Sequence, residues 1–433
     1  MKRKIYDELI NWKNNNINIP LMIIGARQIG KTYIIKEFCR NEFPNYIYFN
    51  LYEDKGIVSI YKENISSEEK FHKLELYIKT KINLDNTIII FDEIQESEEL
   101  ISSLKYYSES DKPYKIICAG SLLGVKVNRF KGPFPVGKVK ILEMYSMSFD
   151  EFLYAYYEND LIIKEIEKCY TENIKMSDTL HNELIQLYNT YLIIGGMPES
   201  VKNYINNKDI LLYDKSILSL IIESYLKDMN KYIYDSYEKS RIESIYKSIP
   251  SQLGNQSNKF QYSKIEKGAR SKEYYNALNW LISSKMIMKC EKVNKIEKPL
   301  KAFVELDNFK LYLSDTGILS SLLEIDINDL IFNEYFMYKG IIAENYVGNE
   351  FLRNKISLYY WDSGNKAEID FLISLVDGII PIEVKASTNN QSKSLKVFME
   401  KYKSKYGIKI SLKNFGFENN IKSVPLYATF CIK

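Results

Sequence analysis

Residues 25–32 combine glycines, a lysine and a threonine at a spacing suited to phosphate chemistry. They read Gly-Ala-Arg-Gln-Ile-Gly-Lys-Thr, which fits the pattern G-x-x-x-x-G-K-[ST]. The two glycines let backbone N–H groups approach a polyphosphate closely. The lysine is expected to reach the β- and γ-phosphates, and the threonine hydroxyl to bind Mg²⁺. The predicted nucleotide-binding residues are Gly25, Ala26, Arg27, Gln28, Ile29, Gly30, Lys31 and Thr32.

The segments on either side of this loop predict the elements that position it. Four apolar residues, Leu21–Ile24, precede the loop and indicate a buried parallel strand, whereas residues 32–40 are typical of a helix. The N-terminus of that helix would direct its positive dipole end at the phosphates. A chance match in a glycine-containing turn is the alternative, but the order strand, loop, helix favours a nucleotide site.

A carboxylate pair follows about 60 residues after the loop, at the end of a second apolar strand. This strand comprises residues 87–93 and ends in Asp92 and Glu93. Asp92 is expected to hold Mg²⁺ and Glu93 to polarise the attacking water. The alternative is that the two acids cap a helix predicted at residues 94–104. Ser121, at the end of a further strand, is expected to hydrogen-bond the γ-phosphate or the water.

Acidic residues recur near the C-terminus, on a predicted β-hairpin. Asp370 lies on its first strand, and Glu383 and Lys385 lie on its second strand, two residues apart and therefore on one face. Glu368 is expected to point to the opposite face from Asp370. A preceding predicted helix carries Glu344. The alternative is a solvated hairpin with one salt bridge, from Lys385 to Asp370 or to Glu383.

Several stretches of the first part of the chain together resemble AAA-type P-loop ATPases. Besides the phosphate loop, they are Phe-Asp-Glu-Ile-Gln at 91–95, Ala-Gly-Ser-Leu-Leu-Gly at 119–124, Phe-Pro-Val-Gly-Lys-Val at 134–139 and Ser-Phe-Asp-Glu-Phe at 148–152. More narrowly, the chain is similar to a bacterial and archaeal family in which this module joins a C-terminal domain of unknown function. Such ATPases usually use an arginine to stabilise charge on the transferred phosphoryl group. Arg129 is the candidate here, and a solvated loop arginine is the alternative interpretation.

The C-terminal pattern D…E-x-K, preceded by a helical glutamate, resembles the core of PD-(D/E)xK nucleases. In those enzymes the acids hold one or two Mg²⁺ ions, and the lysine polarises the water or steadies the developing charge. The resemblance implies catalytic roles for Glu344, Asp370, Glu383 and Lys385, with Asp370 and Glu383 as metal ligands. Residues 385–413 contain eight lysines and a single acid, a composition that favours contact with a phosphate backbone.

The order of predicted elements indicates an α/β protein with a parallel P-loop NTPase sheet. Four parts are expected along the chain. They are an AAA-type ATPase domain (1–150), a helical lid (151–235), a winged-helix-like module (236–310) and an α/β restriction-endonuclease-like domain (311–433). Basic residues precede the longer helix of the winged-helix-like module. That arrangement suits DNA, but winged helices also serve as protein contacts.

Composition argues against several other classes of protein. The apolar content of 45% and the charged content of 27% are typical of a folded globular protein. A net charge of +3 is too small to indicate nucleic-acid binding by itself. The five cysteines are dispersed and only two histidines occur, which argues against a zinc site and favours a reducing cytoplasm. No apolar run is long enough to predict a membrane span.

The sequence therefore predicts a cytoplasmic, Mg²⁺-dependent ATPase that is coupled to DNA binding or processing through a nuclease-like domain. ATP and Mg²⁺ are the expected cofactors, double-stranded DNA is the expected partner, and assembly into a homo-oligomer stays open. The rival hypothesis is a nucleotide-dependent regulatory switch that binds a protein partner or DNA without cleaving it.

Overall fold

The structure, a computed structural model, describes residues 2–121, 134–233, 235–255, 258–332, 338–364, 367–387 and 392–433. Within these residues the chain forms two compact units. The N-terminal unit comprises Lys2–Tyr145 with residues 283–285, and the C-terminal unit comprises Ser146–Ile282 and Met286–Lys433. No helix of the described ranges is both long and apolar enough to cross a lipid bilayer.

The N-terminal unit alternates strands and helices. Its helices are α1 (Ile5–Asn16), α2 (Lys31–Glu42), α3 (Lys55–Lys62), α4 (Ser67–Ile78) and α5 (Glu98–Glu109), and its strands are β1 (Leu21–Ile24), β2 (Asn45–Asn50), β3 (Thr87–Asp92), β4 (Ile116–Gly120) and β5 (Lys140–Glu143). The strands form one sheet in the order β2-β3-β4-β1-β5, and every neighbouring pair is parallel. The predicted parallel α/β sheet is confirmed.

Burial on both faces explains why these strands are apolar along their whole length. All six residues of β3 and all five of β4 are buried, as expected where helices cover both faces of a parallel sheet. Phe91 stacks on Phe49 of the neighbouring strand, with ring centroids 5.6 Å apart. The core therefore fixes the carboxyl ends of the strands, where the predicted phosphate chemistry is located.

The C-terminal unit begins with helices and ends with a large mixed sheet. Its helices are α6 (Phe149–Tyr157), α7 (Leu161–Glu172), α8 (Asp178–Ile194), α9 (Pro198–Asn207), α10 (Ser216–Tyr232), α11 (Ser236–Leu253), α12 (Ser271–Ser283), α13 (Thr316–Leu322), α14 (Ile327–Phe332), α15 (Lys339–Arg353) and α16 (Lys393–Tyr402). Its strands are β6 (Ile287–Val293), β7 (Val304–Leu313), β8 (Tyr359–Asp362), β9 (Glu368–Leu375), β10 (Gly378–Val384), β11 (Gly407–Ser411), β12 (Gly416–Glu418) and β13 (Ile421–Pro425).

The eight strands form one sheet in the order β12-β13-β11-β10-β9-β8-β6-β7. Strands β9 and β10 pair antiparallel around a tight turn, which confirms the predicted hairpin. β10 pairs with β11 in parallel, and α16 covers the sheet with the buried side chains of Leu395 and Phe398. The chain is therefore α/β overall, with a parallel P-loop NTPase sheet and a separate mixed sheet.

Two boundaries in the C-terminal unit bear on how the chain divides. Helices α6 and α7 are separate, because Glu158 takes a left-handed conformation (φ 59°) and ends α6. Strand β7 begins at Val304 and pairs with β6. That strand crosses the predicted boundary between residues 310 and 311, and the division of the chain into four domains stays a prediction.

Candidate functional site

The two glycines of the phosphate loop are required for different reasons. A Cβ atom at Gly25 would lie 2.2 Å from the carbonyl oxygen of Met144, so no side chain fits there. Gly30 has φ 91° and ψ 22°, a left-handed conformation that glycine adopts readily, and it is the N-cap of α2. The loop between β1 and α2 is therefore built as the sequence pattern requires, with the helix N-terminus at its end.

Lys31 is held against the loop rather than extended into solvent. Its Nζ donates to the carbonyl oxygens of Gly25, at 3.0 Å, and Ala26, at 2.6 Å. Burial lowers the pKa of this lysine to about 8, and the nearby carboxylates of Glu93 and Asp92 oppose that shift. The ammonium is thus located where anionic phosphate oxygens would complete its hydrogen bonds.

Thr32 and Asp92 are brought into direct contact, as the sequence predicts for a shared Mg²⁺ site. The Thr32 hydroxyl donates to Asp92 Oδ2 at 2.6 Å, and the backbone N–H of Glu93 donates to Asp92 Oδ1 at 2.9 Å. Asp92 is 5% exposed. A hydroxyl and a carboxylate are oxygen ligands of the kind that Mg²⁺ prefers, so the residues present fit this ion.

Tyr48 is a site residue that the sequence analysis missed. Its hydroxyl donates to Asp92 Oδ2 at 2.9 Å, beside the Thr32 hydroxyl. Burial and the Asp92 carboxylate raise the pKa of Tyr48 well above its ordinary value, so it stays a donor. The pairing of β2 with β3 places the two residues together, and Asn50 lies opposite Asp92 in that ladder. Only the strand order, which the sequence does not state, could have indicated the contact.

Glu93 follows Asp92 in a left-handed conformation (φ 53°) that is uncommon for a glutamate. Its Oε2 accepts a hydrogen bond from Gln95 Nε2. The helix predicted at residues 94–104 is a short 3₁₀ turn followed by α5, which is capped by Ser97. Neither acid caps α5, so the alternative interpretation of the pair as helix caps is wrong.

Two arginines contact the phosphate loop or its surroundings. Arg27 Nε donates to the hydroxyl of buried Ser121 at 3.3 Å, which places the predicted Ser121 beside the loop. Arg3 was not predicted to matter. Its NH1 donates to the Ile29 carbonyl at 2.9 Å and its NH2 to the Tyr145 carbonyl at 2.6 Å. Arg129, the predicted arginine finger, lies outside the described residues.

In the C-terminal unit, the hairpin brings Asp370, Glu383 and Lys385 together. Phe371 lies opposite Ile382 in the β9–β10 ladder, so Asp370 and Glu383 follow at its end. Asp370 Oδ2 accepts from the backbone N–H of Val384 at 2.7 Å, and Lys385 Nζ lies 3.1 Å from Glu383 Oε1. Glu383 is 4% exposed, and its Oε2 has no hydrogen-bond partner among the described residues.

The pKa values of Asp370 and Lys385 reflect burial first and neighbouring charges second. Asp370 retains some solvent-accessible surface, but the dense protein around it, together with Glu344, raises its pKa to about 7. Lys310 and Lys385 oppose that shift. Burial would lower the pKa of Lys385, but Asp370 and Glu383 outweigh it, and the pKa is raised. Lys385 is therefore a charged lysine beside carboxylates.

Glu344 lies beside the hairpin on α15, but its carboxylate is already engaged. Its Oε1 accepts from Lys310 Nζ at 2.8 Å and from the Tyr312 hydroxyl, and its Oε2 accepts from Asn258 Nδ2 at 3.1 Å. Glu368 Oε1 lies 2.5 Å from the same Lys310 ammonium. The expectation that Glu368 points away from the cluster is wrong, because residues 368 and 370 are two apart and share a face.

No group of three or more His, Cys, Asp or Glu side chains in the described ranges is arranged to hold a metal ion. Asp370 and Glu383 are two such side chains, and their predicted role as ligands stays a prediction. The same holds for the catalytic roles of Glu344 and Lys385.

Most lysines of the C-terminal basic segment are exposed, on α16 or in the loops before and after β11. The exposed members are Lys393, Lys396, Lys401, Lys403, Lys405 and Lys413. Lys409 differs, because it lies on β11 opposite Glu383 and is 6% exposed. Lys409 is therefore part of the sheet interior and is not available to a large partner.

Comparisons with known proteins identify the domain that contains the phosphate loop. Residues 18–153 match the family model of an AAA domain. Residues 185–329 and 339–429 match two further models, each described as a domain of unknown function, DUF8612 and DUF4143. No curated protein matches the sequence. The phosphate loop and its surroundings thus belong to an AAA-type P-loop ATPase domain.

Two solved structures are similar to the chain at low identity. A Walker-type ATPase of Pyrococcus abyssi is 17% identical, with a TM-score of 0.46, over 74% of this chain and 95% of that one. The ORC2 protein of Aeropyrum pernix is 13% identical, with a TM-score of 0.34, over 78% of this chain and 92% of that one. Likenesses of this degree do not bear on function.

Proposed function

We propose that the chain is an Mg²⁺-dependent ATPase whose nucleotide state controls how the C-terminal unit contacts DNA. One observation carries the ATPase part. The Thr32 hydroxyl and the Asp92 carboxylate, 60 positions apart in sequence, are 2.6 Å apart at the end of the phosphate loop. This is the pair that holds Mg²⁺ in P-loop NTPases.

Each residue of the loop has a distinct role in this proposal. Backbone N–H groups of residues 25–30 and the N-terminus of α2 receive the phosphates. Lys31 exchanges its bonds to loop carbonyls for bonds to the β- and γ-phosphates, and Glu93 orients the attacking water. Mg²⁺ held by Thr32 and Asp92 would neutralise charge on the phosphate oxygens during transfer.

DNA is the proposed partner of the C-terminal unit because of charge and residue type. Six exposed lysines between residues 393 and 413 lie in the same unit as the Asp370 hairpin, and further exposed basic residues lie before and at the start of α12, namely Lys264, Lys267, Arg270 and Lys272. Positive charge of this kind binds phosphate backbones. Asp370 and Glu383 would hold one Mg²⁺ ion, and the unpartnered Glu383 Oε2 is the oxygen available for it.

A second candidate function is a nucleotide switch whose C-terminal unit binds DNA or a protein without cleaving it. The ion pair between Lys385 and Glu383 favours this candidate, because it is the salt bridge expected of a hairpin without catalysis. The engagement of Glu344 by Lys310, Tyr312 and Asn258 favours it further.

The first experiment measures ATP hydrolysis with and without duplex DNA, with Lys31→Ala as the inactive control. Hydrolysis that needs Mg²⁺, is lost in Lys31→Ala and rises with DNA supports the proposal. Undiminished hydrolysis in Lys31→Ala would overturn the assignment of the site. An equal rate of ATP hydrolysis with and without DNA would favour a switch with a protein partner.

The two candidates for the C-terminal unit are separated by Asp370→Ala. Mg²⁺-dependent cleavage of duplex DNA by the wild type, lost in Asp370→Ala while ATP hydrolysis persists, supports the nuclease-like function. DNA binding without cleavage in both proteins supports the switch.

A further inference from the structure

Lys310 is an unusual residue in the C-terminal unit because its charged group is wholly buried. Its side chain is 0% exposed, and its Nζ lies 2.8 Å from Glu344 Oε1 and 2.5 Å from Glu368 Oε1. The two carboxylates come from different elements, α15 and β9, and the lysine comes from β7. A buried ammonium requires such partners, and the partners equally require a cation.

Two carboxylates, those of Glu344 and Glu368, contact the single ammonium of Lys310. Asp370 lies in the electrostatic surroundings of Glu344, Lys310 and Lys385. Neutral donors contribute the remaining hydrogen bonds of Glu344, since Tyr312 donates to Oε1 and Asn258 to Oε2. The carboxylate oxygens that face Lys310 are the kind that coordinate a divalent cation. The ammonium therefore takes the place between two carboxylates that a divalent cation would need.

We propose that Lys310 is a built-in cation that replaces a divalent metal ion between Glu344 and Glu368. The C-terminal site can then hold no more than the single ion assigned to Asp370 and Glu383, and that part rests on the proposed nuclease-like function. Two-ion cleavage of DNA is closed to this site. The C-terminal site can then either cleave DNA with one ion or bind DNA without cleaving it.

The test replaces Lys310 by methionine, which has a similar length and no charge. Bound Mn²⁺ is counted by electron paramagnetic resonance in the full chain without nucleotide, for the wild type and for Lys310→Met. The proposal expects one additional Mn²⁺ per chain in Lys310→Met. An equal count in the two folded proteins overturns it. Any Mn²⁺ at the phosphate loop is common to both proteins and cancels in the difference.

Lys292→Met is the matched control. Lys292 also contacts two acids, with Nζ 3.5 Å from Glu305 Oε2 and 3.4 Å from Asp362 Oδ2. Lys259, 3.1 Å from the same Asp362 oxygen, continues to balance that carboxylate after the substitution. The Mn²⁺ count should stay at the wild-type value. A gain in this variant equal to that in Lys310→Met would overturn the specific role of Lys310.

Lys310→Met is expected to be less stable than the wild type, because the substitution removes the cation that contacts Glu344 and Glu368. Thermal unfolding of Lys310→Met is then compared in MnCl₂ and in KCl at equal ionic strength. Recovery of the fold by Mn²⁺ alone supports the proposal, and equal melting temperatures in both salts overturn it.

The Mn²⁺ counts also separate this inference from the proposed function. A wild-type protein that binds no Mn²⁺ in the C-terminal unit, with Lys310→Met binding one ion, supports the role of Lys310. The same result argues against the nuclease-like function.

Discussion

At the residue scale, both candidate sites depend on how buried charges are neutralised. Lys31 bonds to loop carbonyls and lies near two acids, whereas Lys310 bonds directly to carboxylates. The first arrangement leaves the lysine ready to donate hydrogen bonds to anionic phosphate oxygens, because neutral carbonyls are weaker acceptors than phosphate. The second arrangement satisfies the lysine within the protein. Of these two buried lysines, Lys31 is therefore suited to binding an external anion, whereas Lys310 already has its anionic partners within the protein.

Nucleotide affinity should fall as the pH rises through about 8, since burial lowers the pKa of Lys31 to that value. Below this pH the lysine is charged and binds phosphate, and above it the free protein must take up a proton on binding. Titration with a fluorescent ATP analogue between pH 7 and pH 10 should show affinity decreasing by up to about tenfold per pH unit above the pKa.

The matched control for this pH dependence is Lys31→Arg, because arginine stays charged over the whole range. The nucleotide affinity of Lys31→Arg should not show the same dependence on pH, whatever its absolute value. An identical pH profile in Lys31→Arg would show that another group titrates.

Arg3 should act as a positioning residue for the phosphate loop. Arg3→Met removes two hydrogen bonds that tie the Ile29 and Tyr145 carbonyls together. Loss of these bonds should raise the KM for ATP about tenfold and change kcat less, since the affected atoms lie in the binding loop. Steady-state kinetics of Arg3→Met and of exposed Arg40→Met provide the comparison. Equal KM values in the two variants would contradict the role.

At the element scale, the turn between α8 and α9 is a structural junction. Gly195 ends α8 with φ 67°, and a Cβ there would lie 2.1 Å from Asp315 Oδ1. Asp315 Oδ2 accepts from the backbone N–H of Gly196 at 2.8 Å, and its Oδ1 caps α13. Pro198 then begins α9. This Gly-Gly-Met-Pro turn therefore has a structural role.

Gly195→Ala should destabilise the C-terminal unit by more than about 2 kcal/mol, because it adds a steric overlap to a left-handed conformation. Urea unfolding followed by circular dichroism measures the effect. Gly340→Ala is the control, since a Cβ at this position of α15 meets no atom within 4 Å. Its stability should stay equal or rise by about 0.5–1 kcal/mol. Equal stability of the two variants would contradict the packing argument.

At the scale of the whole molecule, the two units have separate hydrophobic cores. One core lies around the parallel sheet and includes Ile89, Phe91 and Cys118. Another lies between the mixed sheet and α16 and includes Trp361, Ile369 and Phe398. Ligand binding to one unit should therefore stabilise that unit first.

Calorimetry should resolve two unfolding transitions, and ATP with Mg²⁺ should raise the temperature of one of them. At an ATP concentration of one hundred times Kd, the stabilisation of the N-terminal unit should be about 2.7 kcal/mol. Lys31→Ala should abolish the shift. A single transition that shifts as a whole would show that the two units unfold together.

The sequence by itself determined the backbone path of the phosphate loop. A short pattern requires a specific backbone path, so Gly25, Gly30, Lys31 and Thr32 could be assigned from residue types and from the flanking strand and helix. The strand-end position of Asp92 followed from hydrophobic periodicity, because parallel strands buried on both faces are apolar throughout. The hairpin of Asp370 and Glu383 followed from strand alternation and a turn.

Only the tertiary structure decided which partners these residues meet. Tyr48 reaches Asp92 through the strand order, Arg3 reaches the loop from the segment before α1, and Lys310 reaches Glu344 and Glu368 from another strand. These contacts join residues distant in sequence, and each depends on the packing of whole elements. Local sequence patterns indicate periodicity and backbone conformation. Which groups neutralise a buried charge depends instead on how the helices and strands pack together.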